Sequence, residues 1–245
     1  MTMITPNGGD DHRYPDGKGS EVIMRVPGKP AQAVKPKLRG WLHLGTFPLV
    51  LVAGMLLVAL GPTPAARLCA AVYALTSAAL FGVSATYHRG RWSPRVADWL
   101  RRFDHASIYL IIAGTYTPFA YLILEGATRA VVLSVVWGGA AAGVLFRVLW
   151  VRAPRWLYTA LYLGLGWVAA FFVPQFLEGT GPLVAALVIL GGVLYSVGGL
   201  VYGLRKPDPS PRWFGFHEVF HALTIAAYVL QYIAVSVVVY RTGAL

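Results

Sequence analysis

Residues 214–239 read FGFHEVFHALTIAAYVLQYIAVSVVV. As a helix, this stretch can cross about 30 Å of hydrocarbon, which takes roughly 20 residues. It opens on His217-Glu218-Val219-Phe220-His221, a glutamate between two histidines four residues apart. Residues at i and i+4 share one helix face. Ionisable groups at membrane depth are costly and are usually kept for function. One stretch therefore predicts both a membrane span and a reactive site at its end.

Six further apolar runs of spanning length precede it, at about 41–60, 66–88, 104–123, 128–149, 155–175 and 181–203. The chain is 57% apolar and 13% charged, with a mean hydropathy of +0.60. A soluble domain is nearer one quarter charged. The expected fold is an all-α integral membrane protein, a seven-transmembrane helix bundle over residues 39–245. Residues 1–38 form a basic, Gly- and Pro-rich N-terminal tail with no apolar signal-peptide core. Its first residues, MTMITP, resemble a vector-derived leader, and Pro6 to Ser20 has too little apolar surface to fold alone. The single cysteine, Cys69, excludes an internal disulfide and a multi-cysteine metal site.

The net charge of +11 points to topology, not to nucleic acid. Of the 21 lysines and arginines, 18 lie in the tail and in the 2–3, 4–5 and 6–7 connections; Arg67, Arg129 and Arg241 lie opposite. Positive residues stay on the cytoplasmic side. This predicts a cytoplasmic N-terminus and a C-terminus outside, in the cell membrane. Trp41, Trp92, Trp99, Trp150, Trp156 and Trp213 fall near the same inner boundary, as an interfacial belt does. The orientation is the reverse of a G-protein-coupled receptor. All five lysines lie outside the spans, which excludes a retinal Schiff base. Gly139 with Gly143, and Gly199 with Gly203, are small-residue pairs that let helices approach. Pro48, Pro118 and Pro174 are expected to kink their spans.

With odd helices running outward, the end of helix 2 and the starts of helices 3 and 7 share one depth. They carry Ser84 and His88, Asp104, and His217 and His221. Three histidines plus water is the open tetrahedral arrangement of catalytic zinc. Asp104 is either a fourth ligand or an acceptor that orients the water, and Ser84, one turn deeper than His88, can donate to that water. His43 and His105 are expected to be interfacial or supporting residues.

Ser84-x-x-x-His88, the run from Asp104 to Ile111-Ile112-Ala113-Gly114-Thr115-Tyr116-Thr117-Pro118, and the His217–His221 pair together resemble the hemolysin III branch of the progestin and adiponectin receptor family. The resemblance covers about residues 37–245. It implies Zn²⁺ near the cytoplasmic leaflet, ligated by His88, His217 and His221, with Asp104 near the metal-bound water and Ser84 beside the site. Members of that family are described as relatives of lipid-amide hydrolases, as receptors and, in bacterial inner membranes, as haemolysins or membrane-homeostasis proteins.

Four functions compete. The first is a zinc-dependent, ceramidase-like hydrolase of a lipid amide or ester taken from the bilayer, with Asp104 as base and Ser84 as donor. The second is a cytolytic pore or a transporter, which needs polar residues through the full thickness; the ionisable residues cluster at one end instead. The third is a homeostasis sensor in which structural zinc clips helix 2 to helix 7. The fourth reads His217–His221 as the metalloprotease motif H-E-x-x-H with Glu218 as base.

Overall fold

A computed structural model describes residues 23–24, 32–33 and 35–242 of the chain. The expected disorder of Pro6–Ser20 and the foreign leader lie outside the described residues. The chain is a multi-pass membrane protein with an all-helical bundle, and its described residues include seven helices long and apolar enough to span a bilayer. Six are continuous: α1 (Trp41–Ala59), α2 (Pro64–Arg89), α3 (Pro94–Ile123), α4 (Gly126–Leu149), α7 (Pro182–Leu204) and α8 (Phe216–Arg241). The fifth span is built from α5 (Arg155–Gly166), a 3-10 stretch (Trp167–Phe172) and α6 (Val173–Thr180). Ahead of the bundle, Ile23–Met24 pairs antiparallel with Gln32–Ala33.

Two expected boundaries are corrected. Helix 3 does not begin at Asp104 but at Pro94, so Asp104 lies about three turns inside it. Ser93 caps the helix by accepting from the Val96 N–H, and Pro94 occupies the first helical position, where its missing N–H costs nothing. Hydropathy marked where the apolar surface starts, not where the helix does. The fifth span was expected to end near residue 175 with a kink at Pro174. It runs to Thr180, and Pro174 instead sits in the first turn of α6, after the 3-10 stretch. That stretch is fixed from outside the span: the Tyr116 hydroxyl of α3 donates to the Gly166 carbonyl at 2.6 Å and accepts from the Ala169 N–H at 2.5 Å. Pro48 and Pro118 lie within α1 and α3, as expected.

α8 packs against α1, α2, α3 and α7, and α3 packs against α2, α4, α8 and the fifth span. Tyr73 and Phe81 of α2, Ile111 and Phe119 of α3, and Tyr228 and Val235 of α8 form one buried core. The small-residue pairs lie at helix contacts. A Cβ on Gly143 would enter the Tyr109 ring of α3, and one on Gly139 would come within 2.7 Å of Leu165. Gly199 and Gly203 lie at ordinary contact distance from Thr159 of α5. The six boundary tryptophans are exposed and sit at alternating helix ends, which places them together at one end of the bundle.

Candidate functional site

That same end gathers the predicted polar residues. His88 is in the last turn of α2, and His217 and His221 are in the first two turns of α8. One nitrogen from each lies within 4.8 Å of the other two. The Nε2 atoms of His88 and His217 are 3.1 Å apart. In tetrahedral zinc, with Zn–N near 2.0–2.1 Å, neighbouring ligand nitrogens are about 3.3 Å apart. The donor set and its spacing therefore fit a metal ion with three imidazole ligands and an open position. Asp104 Oδ2 lies 3.7 Å from His88 Nε2. Ser84, buried one turn before His88, lines the same cavity as Asp104. All five predicted site residues converge.

Glu218 does not join them. It is 1% exposed, and both its oxygens are occupied. Oε1 takes the Arg39 Nε–H at 2.5 Å, and Oε2 takes the Gly215 N–H at 2.9 Å. The second contact is the half of a capping box that a glycine N-cap permits. Glu218 thus fixes the start of α8, and through it both histidines, while tying α8 to the segment before α1. Neither oxygen is free to act as the base of a metalloprotease.

The segment 35–40 is held across the site. Lys37 and Leu38 donate backbone hydrogen bonds to the carbonyls of Arg212 and Trp213, and Lys35 Nζ donates to the His88 carbonyl at 2.6 Å. Gly40 adopts φ +83° and lies so close to α2 that a Cβ would come within 2.6 Å of the His88 Cβ. Glycine alone meets both demands. Partial burial, then Arg39 and Arg89 nearby, lower the Lys35 pKa. Hydropathy could not have found this strap, because its residues are polar and lie outside every span.

The two remaining membrane histidines, expected to be interfacial or supporting, stand outside the metal-capable triad. His43 stacks on His221, with ring centroids 3.8 Å apart and planes 5° from parallel, and meets Phe81 edge-on. His105 Nδ1 is 2.7 Å from Arg147 Nη2, and Nε2 is 3.2 Å from the Tyr202 hydroxyl. Arginine only donates, so Nδ1 is the acceptor and the ring proton sits on Nε2. Tyr202 in turn packs against His217, with centroids 5.7 Å apart. Sequence reading missed Arg147 and Tyr202. The available signal was an arginine inside the last turn of an apolar helix.

Two cavities meet at this constellation. One, of about 300 Å³ and almost wholly apolar, runs along the bundle between α3, the fifth span, α7 and α8. Its α3 wall extends from Asp104 to Phe119, about 22 Å of helix. The other, a polar vestibule of about 470 Å³, is lined by residues of the strap, α3, the 4–5 connection and the loop before α8. Asp104, His105, Tyr202 and His217 line both.

Residues 31–232 match the family described as "Haemolysin-III related". The chain belongs to that family. Among haemolysin-III relatives, it is 36% identical over 123 residues to the Hemolysin-3 homolog of Bacillus subtilis (strain 168), covering 50% of this chain and 58% of that protein. It is 29% identical over 150 residues to Hemolysin-3 of Bacillus cereus, covering 61% and 66%. An Adiponectin receptor protein of Drosophila melanogaster is 30% identical over 157 residues, covering 55% and 34%. The chain thus spans less than two thirds of the length of each of these relatives. The fly protein accords with the wider progestin and adiponectin receptor grouping.

Proposed function

We propose that this haemolysin-III protein is a zinc-dependent hydrolase acting on a lipid amide or ester, with residues 39–245 as the membrane domain. The observation that carries this reading is the placement of a metal-capable triad where a long apolar cavity meets a polar vestibule. A lipid whose chain lies along α3 and α7 would present its polar linkage beside His88, His217 and His221. Zinc held by these residues supplies Lewis acidity that makes water nucleophilic near neutrality. Asp104 orients the water and takes its proton. Ser84 donates its single hydroxyl proton toward the oxygen that gains negative charge. The apolar cavity walls exclude bulk water from the scissile bond.

The test is lipid mass spectrometry on ceramides and phospholipids incubated with purified protein. Fatty acid release is expected from wild type. It should fall by about 10²-fold or more in Asp104→Asn with zinc retained, and vanish in His217→Ala/His221→Ala. Zinc stoichiometry should be near one in wild type and near zero in His88→Ala. Release no greater than that of the double variant would overturn the hydrolase. If zinc is nevertheless bound and chelation lowers Tm, the metal instead clips α2 to α8.

We further propose that the site faces the cytoplasm, supported by the cationic and tryptophan-rich end on which it lies. A membrane-impermeant thiol reagent applied to intact cells should label Glu125→Cys and spare Arg91→Cys. The reverse pattern would invert the orientation.

A further inference from the structure

The mechanism above leaves a group of cations in the vestibule unused. Arg147 is 1% exposed, yet it meets no carboxylate among the described residues. Its guanidinium donates to His105 and to the Trp150 carbonyl and lies over the Tyr158 ring, all neutral partners, while Nε has no partner. Arg155 lies over the Tyr202 and Phe216 rings and has a buried Nη1 without a partner. Arg101, which pairs with exposed Asp98, has a buried, unpartnered Nε. All three line the same vestibule, as does Lys35.

Arginine cannot shed its proton, and a buried charge left unpaired is strongly unfavourable. Water can satisfy an orphan N–H but does not neutralise the charge. The two carboxylates on the wall are otherwise engaged: Asp208 accepts from the Phe216 N–H at 2.8 Å, and Asp104 faces His88. Arg39 is matched by Glu218. Lys35, Arg147 and Arg155 come from three separate elements and border one polar space. A planar carboxylate is satisfied by a single guanidinium fork. Donors arriving from several directions suit a tetrahedral oxyanion.

We propose that the vestibule binds a terminal phosphate oxyanion, either a lipid phosphomonoester headgroup or free phosphate, with Arg147 and Arg155 as its principal donors and Lys35 and Arg101 beside them. The site is independent of metal in the triad. A lipid phosphate bound here would carry its chain past Asp104 and His217 into the apolar cavity, since those residues border both spaces.

The experiment uses the full chain after chelation, so that failure of the zinc reading leaves the outcome untouched. Thermal stability and equilibrium binding are measured with two probes. One is inorganic phosphate, against chloride at matched ionic strength. The other is phosphatidic acid in phosphatidylcholine nanodiscs, against phosphatidylglycerol at equal charge. Saturable stabilisation by either probe supports the site. A response to both identifies a site for free phosphate, and a response to phosphatidic acid alone identifies a headgroup site. Arg155→Gln, which removes a half-buried group, should raise Kd at least about tenfold. Arg95→Gln, on the exposed start of α3, should leave Kd unchanged. Without phosphate, Arg147→Met should be no less stable than wild type, because it removes an uncompensated charge. Absence of saturable binding with both probes, or binding of equal strength in Arg155→Gln, would overturn the proposal.

Discussion

The two walls around the apolar cavity differ in how they are held. In α3, 56% of the spanning stretch is buried inside the bundle, and in α2 50%; in the fifth span the figure is 6%. α2, α3 and α8 carry the histidines, Asp104 and Ser84 and interlock through a common core. The fifth span lines the cavity but turns most of its surface to lipid, and its helix is interrupted for six residues. Segments with few buried contacts open at lower free energy than the core. On the proposed lipid-hydrolase reading, the rigid wall sets ligand geometry and the loose wall admits the acyl chain.

The largest effect should come from cutting the tie that fixes α8 on the rigid wall. Glu218→Gln keeps an acceptor for the Gly215 N–H but leaves the Arg39 charge without its partner. Removing one member of a buried pair costs about 3 kcal/mol or more. Tm should drop by several degrees, with zinc still bound and Asp104-dependent chemistry, where present, retained. Loss of turnover with unchanged Tm would return Glu218 to the role of base. Next in size is Gly143→Ala, which forces a methyl group into the Tyr109 ring. That ring is itself buried and packed on Tyr162, so it has no room to yield. Overpacking of this kind costs about 2 kcal/mol.

The rigid wall was also the more legible one. Apolar length locates all seven spans, and the alternation of cationic connections brings His88, Asp104 and the His217–His221 pair to one depth from sequence alone. Hydropathy failed where polar residues are helical or bridging. The first ten residues of α3 include four charged and two aromatic residues yet are helical, because Ser93 and Pro94 supply a start signal that apolar counting ignores. The strap's contact with His88 joins residues 53 positions apart, and the Arg39–Glu218 pair joins residues 179 apart. No local periodicity encodes such pairs. In the fifth span, the 3-10 stretch is stabilised by a hydroxyl from another helix, so its own sequence reads as one continuous run.

That hydroxyl gives the third and more local effect. Tyr116→Phe strips the Gly166 carbonyl and the Ala169 N–H of their partner in a stretch that already departs from regular helix. Unsatisfied backbone groups in a nonaqueous setting cost about 1–3 kcal/mol, but here a weakly packed segment can move to recover them. The expected global loss is about 1 kcal/mol. The clearer sign is faster amide exchange over Trp167–Phe172 with α2, α3 and α8 unchanged. Exchange that accelerates equally in α8 would mean that the two walls open together.

The smallest effect should carry the opposite sign. Gly164, in the fifth span, is exposed, and a Cβ there would meet nothing within 4 Å. Gly143, on α4, meets the Tyr109 ring. The same substitution, glycine to alanine in a helix, therefore separates packing from backbone freedom. At Gly164 only the conformational term remains, and alanine restricts the unfolded chain and favours the helix by about 0.5–1 kcal/mol. Gly164→Ala should raise Tm by a degree or two, while Gly143→Ala lowers it. If the segment must flex to admit a chain, Gly164→Ala should also slow lipid entry while leaving zinc binding unchanged, because the triad rests on the other wall. A drop in Tm at Gly164 would show that the fifth span packs as closely as α4 and would erase the distinction between the walls.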